Sequence, residues 1–294
     1  MTLILRANTL INNPNAPKLI KYDPIESRTG SLYLWDAGLQ KYSSLPPIND
    51  TLPNLLDPYA AATGNAFTIV KVGSATTDTY CKRELTAQGA LHFMVSQTFE
   101  SAISSEAYFG VVSNSALRQV LYNKIMTASQ NLYFSMWTRV TRVGKNTTNR
   151  YGPMVSYANG NTSDYALYLQ SKQINPSVGA TSTSTSKLGV PAYNTAALAP
   201  NFYQANIKDY AGTGVTPTTP LKIGSGVMTP WNATQAQNES PSFAVYRIYI
   251  EDLSVSGRTF DQVKAIDDAE FAKAFGVGGR FYGDTWSDPA TVLP

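Results

Sequence analysis

Short apolar runs separated by turn-forming residues organise most of this chain. Ser31-Leu32-Tyr33-Leu34-Trp35 is the first run that reads as a strand, and residues 1–30 before it carry little periodicity. Their Asn12-Asn13-Pro14-Asn15-Ala16-Pro17 and Tyr22-Asp23-Pro24 stretches predict an extended arm ordered against neighbours. Ala66–Val72, Ala90–Val95 and Tyr108–Val112 are further β-branched and aromatic runs of strand length. From Asn114 to Met126 the pattern changes: Leu117, Val120, Leu121 and Ile125 recur at helical spacing and predict one helix among the sheets.

Leu132–Val143 is the longest strand block, closed by Gly144-Lys145-Asn146. Met154–Tyr157 and Tyr165–Leu169 flank an Asn159-Gly160-Asn161 turn and predict a hairpin. Residues 175–241 are rich in Pro, Gly, Ser and Thr, with weak strand patterns at Phe202–Ala205 and Leu221–Gly224. A loop of that length signals function, an insertion or a concealed element. Phe243–Ile250 is apolar on both faces, as expected of a strand buried between two sheets. Glu251 to Gly257 then leaves the sheet, and Thr259-Phe260-Asp261-Gln262 has the form of a capping box. Val263, Ile266, Phe271, Ala274 and Phe275 share one face of the helix so begun, and Gly276 is its stop. This predicts a helix near 260–275 packed on the sandwich edge. The organisation expected is an arm over 1–30 and one all-β sandwich over 31–294.

Composition changes the picture mainly by exclusion. The 294 residues include one Cys, one His and 15% charged side chains, with a formal net charge of +3. One cysteine forms no intramolecular disulfide, and with one histidine it makes no Cys/His zinc set. A charge of +3 is no basic footprint for nucleic acid. The sequence holds 30 Thr, 26 Ser and 20 Asn, so its polar surface is largely neutral hydroxyl and amide. That suits an extracellular or particle-associated β-protein. No apolar run approaches the roughly 20 residues of a membrane span, and Leu3-Ile4-Leu5 before Arg6 is too short for a signal-peptide core. N-x-[ST] triplets at Asn49, Asn146, Asn161, Asn232 and Asn238 are those expected by chance in so Asn- and Thr-rich a chain.

The Leu34-Trp35-Asp36-Ala37 strand, the central Met136-Trp137-Thr138-Arg139 strand and Tyr246-Arg247-Ile248-Tyr249-Ile250 followed by a short helix resemble the laminin-G-like, concanavalin A-like jelly roll. Glu251–Thr259 and Gly278–Asp284 are similar to the ending of laminin-G-like proteins in tailed-bacteriophage particles. The resemblance covers roughly residues 30–285. It implies a virion protein that is structural or adhesive rather than enzymatic, associated with tail, baseplate or fibre, with capsid decoration as the alternative. It further implies other virion subunits as partners, a homo-oligomeric or symmetric assembly, and host-surface polysaccharide as a ligand. Laminin-G modules often bind calcium, but no aspartates here match that site, so no cofactor is expected.

His92 lies between apolar neighbours with no local Ser/Asp set, which favours a hydrogen-bonded strand histidine over a general base. Cys81 sits beside Lys82 and Arg83, which could activate a thiol, but no base is evident. A glycan hydrolase on the jelly-roll scaffold is a distant third alternative: it needs paired carboxylates, which different strands could supply, but none of the seven glutamates is followed two residues on by Asp or Glu. Asp267-Asp268 with Glu270, or Asp284 with Asp288, could offer oxygens to calcium but lack a loop spacing for it. The candidate glycan or subunit contacts are Tyr203, Tyr210, Trp231 and Asn232, aromatic platforms among neutral polar residues.

Overall fold

The computed structural model describes residues 23–27, 29–40, 42–56, 66–73, 77–99, 102–103, 105–127, 131–145, 153–158, 165–170, 200–208, 214–228, 235–236, 238 and 240–294. The apolar runs fold as strands β1 (Ser31–Asp36), β2 (Thr51–Leu52), β3 (Phe67–Val72), β4 (Cys81–Leu85), β5 (Leu91–Val95), β6 (Ala102–Ile103) and β7 (Ala107–Ser113). After the helical segment come β8 (Asn131–Arg142), β9 (Pro153–Ala158), β10 (Tyr165–Gln170), β11 (Pro200–Lys208), β12 (Leu221–Val227), β13 (Gln235–Ala236) and β14 (Ser242–Asp252). The helices are α1 (Thr77–Tyr80), α2 (Ser115–Met126), α3 (Leu253–Ser256), α4 (Phe260–Phe275) and α5 (Pro289–Val292).

Two six-stranded antiparallel sheets form an all-β sandwich. The first runs β11-β8-β14-β5-β4, with β1 also on β14, and the second runs β10-β9-β12-β7-β3-β2. β14 is long enough for two partners on one edge: Phe243–Val245 pair with β5, and Arg247–Glu251 pair with β1. Its other edge pairs with β8, and there the register slips between Val245 and Arg247. Tyr246 is the extra residue of this bulge. Two consecutive side chains, Tyr246 and Arg247, then reach the same side of the sheet: Tyr246 packs edge-to-face with Phe275 and Phe281, and Arg247 covers Trp137.

The predicted helix is present with its capping box intact. Thr259 Oγ1 accepts from Gln262 N–H, Gln262 Oε1 accepts from Thr259 N–H, and Asp261 lies in the first turn. Gly276 ends it in an extended conformation rather than a left-handed one. Its position differs from expectation. Phe260 packs on Tyr133, Phe271 and Phe275 on Trp137, Phe275 on Tyr246, and Asp268 accepts from Gln204 of β11. α4 therefore lies across the face of β11, β8 and β14, not along an edge. β14 is apolar on both sides because one side meets the second sheet and the other meets α4 and the chain after it. A helix face and a second sheet demand the same apolar residues, so the pattern alone does not distinguish them.

The lead-in also differs from the expected arm where it is described. Ile25 is buried in a satellite cluster with Leu34, Leu56, Tyr133, Tyr249, Leu253 and Val263. Residues 23–27 thus belong to the packed unit. Residues 1–22 and 28 of the expected arm and the Asn159-Gly160-Asn161 turn lie outside the described residues.

Candidate functional site

Three constellations on the α4 side of the first sheet hold its chemistry. The first crosses the strands in a row. Glu84 on β4 pairs with His92 on β5, which pairs with Ala244 on β14. The small Ala244 side chain lets the imidazole reach past β14 to β8. His92 Nδ1 lies 2.8 Å from Glu84 Oε1, and Nε2 lies 2.7 Å from Thr141 Oγ1. The hydrogen bond with His92 holds the Glu84 carboxyl down at about 2, aided by the Ser287 N–H at 2.9 Å. Hydroxyl, imidazole and carboxylate stand in the order that activates a nucleophile. The partners of His92 lie 8 and 49 residues away in the chain, out of reach of any local pattern. His92 is fully buried, Thr141 is 7% exposed, and the Trp286 ring edge lies against His92 with Arg139 above it. The row is a satisfied buried network beneath the chain's last turn.

The second constellation centres on Arg247, which is fully buried. Its Nη1 and Nη2 donate to both Asp23 oxygens at 2.9 and 2.7 Å, and Nη1 also reaches Asp36 at 3.1 Å. The guanidinium lies 4.6 Å from the Trp137 ring centroid. Burial pushes the Asp23 carboxyl up, but the hydrogen bonds and charge of Arg247 outweigh it and hold it below the ordinary value. Asp36 is bound a second time by Arg280, through Nε at 3.1 Å and Nη2 at 2.6 Å. Beneath, Asp267 accepts from Tyr133 O–H at 2.7 Å and Trp137 Nε1–H at 2.9 Å. Burial and then the Asp267 charge raise the Tyr133 pKa, which keeps that phenol a donor.

The third is a cleft of about 370 Å³ where the lead-in, the turn after β1 and the loop after α4 converge. Arg280 and Asp23 connect its lining to the Arg247 network, while Leu39, Lys273 and Val277 form part of its rim. Leu39 is 57% exposed and Val277 88% exposed. Its lining comes from three segments far apart in the chain, and although Gly278–Asp284 carries a resemblance, nothing in that segment announces that Asp23, Pro24 and Leu39 lie beside it.

The candidate contacts divide. Tyr203 is buried in β11 with its hydroxyl 3.8 Å from Met154 Sδ, so it is a core anchor and offers no ring to a glycan. A tyrosine in a weakly patterned segment looks like a loop platform until the strand it belongs to is placed. Tyr210, Trp231 and Asn232 lie outside the described residues. Cys81 is buried; Lys82 next to it is engaged by the Val292 carbonyl and Arg83 by the Pro46 carbonyl.

The acids considered for calcium have protein partners as well: Asp268 binds Lys264 and Gln204, Asp284 takes Tyr246 O–H and Gln88 N–H, and Asp288 caps α5. Among the described residues no group of three or more His, Cys, Asp or Glu is placed to hold a metal, and no helix is long and apolar enough to cross a membrane. Comparison of the chain with protein-family models, with curated proteins and with solved structures returns no match.

Proposed function

We propose that this chain is a non-enzymatic structural and adhesive component of a tailed-phage particle, with a laminin-G-like jelly-roll sandwich as its scaffold. The observation that carries the reading is the state of its charged groups around the cleft. Arg247 engages Asp23, Arg280 engages Asp36, and Tyr133 and Trp137 engage Asp267. Groups held this way fix geometry and are not poised to exchange protons with a substrate. The cleft they support sets exposed Leu39 and Val277 beside paired charges, which favours recognition over turnover.

The sandwich topology supports the jelly-roll assignment, since β1 pairs with the last strand, β14, within one sheet. The neutral Thr, Ser and Asn surface suits packed subunit interfaces. Tail, baseplate or fibre is the location favoured by the resemblance of Gly278–Asp284, and capsid decoration is the second location. Immunogold labelling of purified particles with antibody against this chain tests the reading. Label on the tail supports it, label over the capsid moves the chain to decoration, and particles without label or chain overturn it.

A further inference from the structure

We propose that the cleft at Arg280 is the docking site for an acidic peptide segment of a partner protein, in which a carboxylate is flanked by apolar side chains. The proposal deepens the recognition role proposed above and names the chemistry of its partner. Arg280 carries it. Two of its guanidinium nitrogens, Nε and Nη2, are fixed on Asp36, and its Cζ lies 5.3 Å from the Trp137 ring centroid and 5.2 Å from that of Phe281. A Cβ on Gly38 would come 2.7 Å from Arg280 Cδ, so the backbone there hems the side chain in. The ordering entropy of a long side chain is thus already lost before a partner arrives. Arg280 nevertheless keeps 22% of its side-chain exposure and lines the cleft.

The charges around it decide the sign of the ligand. Asp23 is turned onto Arg247 and is 8% exposed, and Glu270 is 13% exposed with Lys273 at 3.8 Å. Lys273 itself is 70% exposed on the rim. The lining acids are more withdrawn than the cations, with Lys273 outward on the rim and Arg280 partly open to the cleft, so the complementary group is a carboxylate. Leu39 and Val277 add exposed apolar surface on the same rim, next to Pro24. A bare anion leaves that surface wet, whereas an acidic residue between apolar ones covers it. An Arg held rigid beside apolar neighbours is the composition of an interface anchor.

The test is fluorescence polarisation of the whole chain with fluorescein-labelled peptides Ser-Leu-Asp-Leu-Ser, Ser-Leu-Asn-Leu-Ser and Ser-Gly-Asp-Gly-Ser. The first is expected to bind about tenfold tighter than either of the others, the equivalent of one charge-assisted contact or of the lost apolar burial. Val277→Asp and Lys273→Glu change exposed side chains and keep the melting temperature, and each is expected to weaken the Asp peptide about tenfold. Equal binding of the Asp and Asn peptides, indifference to Val277→Asp, or no binding at millimolar peptide overturns the proposal. Equal binding of the Gly-flanked peptide overturns it too, by reducing the cleft to an anion site. Selective peptide binding with unlabelled particles sinks the virion assignment alone, and labelled particles with unselective peptides sink the docking site alone.

Discussion

Arg247 on β14 and Trp137 on β8 are cross-strand partners, and the buried guanidinium lies 4.6 Å from the centroid of the indole whose Nε1–H is bound by Asp267. One ring thus joins a cation above it to a carboxylate at its edge. Among the described residues Arg247 Nε meets no hydrogen-bond acceptor, and the guanidinium carbon lies over the ring face.

Removing the cation leaves Asp23 and Asp36 to bear the loss. Arg247→Met keeps the volume but strands buried carboxylates, a change that typically costs about 3–5 kcal/mol. Urea unfolding is expected to show a loss of that order. Arg247→Lys is expected to recover only part of it, because one ammonium does not hold both Asp23 oxygens and Asp36. A loss under about 1 kcal/mol for Arg247→Met would show the network to be dispensable.

Glu84 sets a pH dependence. Its carboxyl titrates near 2 in the folded chain, below the ordinary value of 4.5. A group depressed on folding contributes stability above its unfolded value and loses it as pH falls through the folded one. The melting temperature is therefore expected to drop between pH 4.5 and 2, partly through Glu84. Glu84→Gln is expected to lower stability at pH 7 and flatten the curve in that window; parallel curves would remove Glu84 from the account.

Tyr249 ties the lead-in down. Its hydroxyl meets Glu251 Oε2 at 2.6 Å, the Ile25 carbonyl at 3.0 Å and Ser31 Oγ at 2.7 Å, and Arg258 binds Glu251 and the Ile25 carbonyl beside it. Tyr249→Phe leaves these buried acceptors short of a donor and is expected to cost about 1–3 kcal/mol. Hydrogen exchange over residues 23–31 is expected to accelerate more than that of β8, and a uniform change would argue against a local latch.

Thr259→Ala removes the side chain that caps α4. The expected cost is about 0.5–2 kcal/mol, read from thermal unfolding, with Thr259→Ser close to the parent. Because Phe260 and Phe271 pack on Tyr133 and Trp137, near-ultraviolet circular dichroism is expected to weaken in the same variant.

Much of the sandwich was legible in the chain because its central strands are continuous β-branched and aromatic runs, and α2 and the α4 cap were legible from spacing and capping chemistry. β4 was not, since Lys82, Arg83 and Glu84 give an edge strand the look of a polar loop. The two constellations around His92 and Arg247 escaped for another reason. A charge inside an apolar run gives no sign of partners, and Arg247 finds Asp36 and Asp23 at separations of 211 and 224 residues. Local patterns report which face a side chain occupies, not what waits on the other side of it.

The additional residue at Tyr246 acts as a phase shifter within β14. The half of the strand on β5 and the half on β1 are out of step by one side chain, and each half buries the right set only because of that offset. Deleting Tyr246 would make the ladder more regular and the protein worse. Arg247 and Ile248 would stay on the sides they now occupy, but the ring that packs on Phe275 and Phe281 would be gone; straightening the strand with Tyr246 kept is what would send Arg247 toward the apolar interior and Ile248 toward Trp137. The irregularity is what allows one strand to serve two differently organised neighbours.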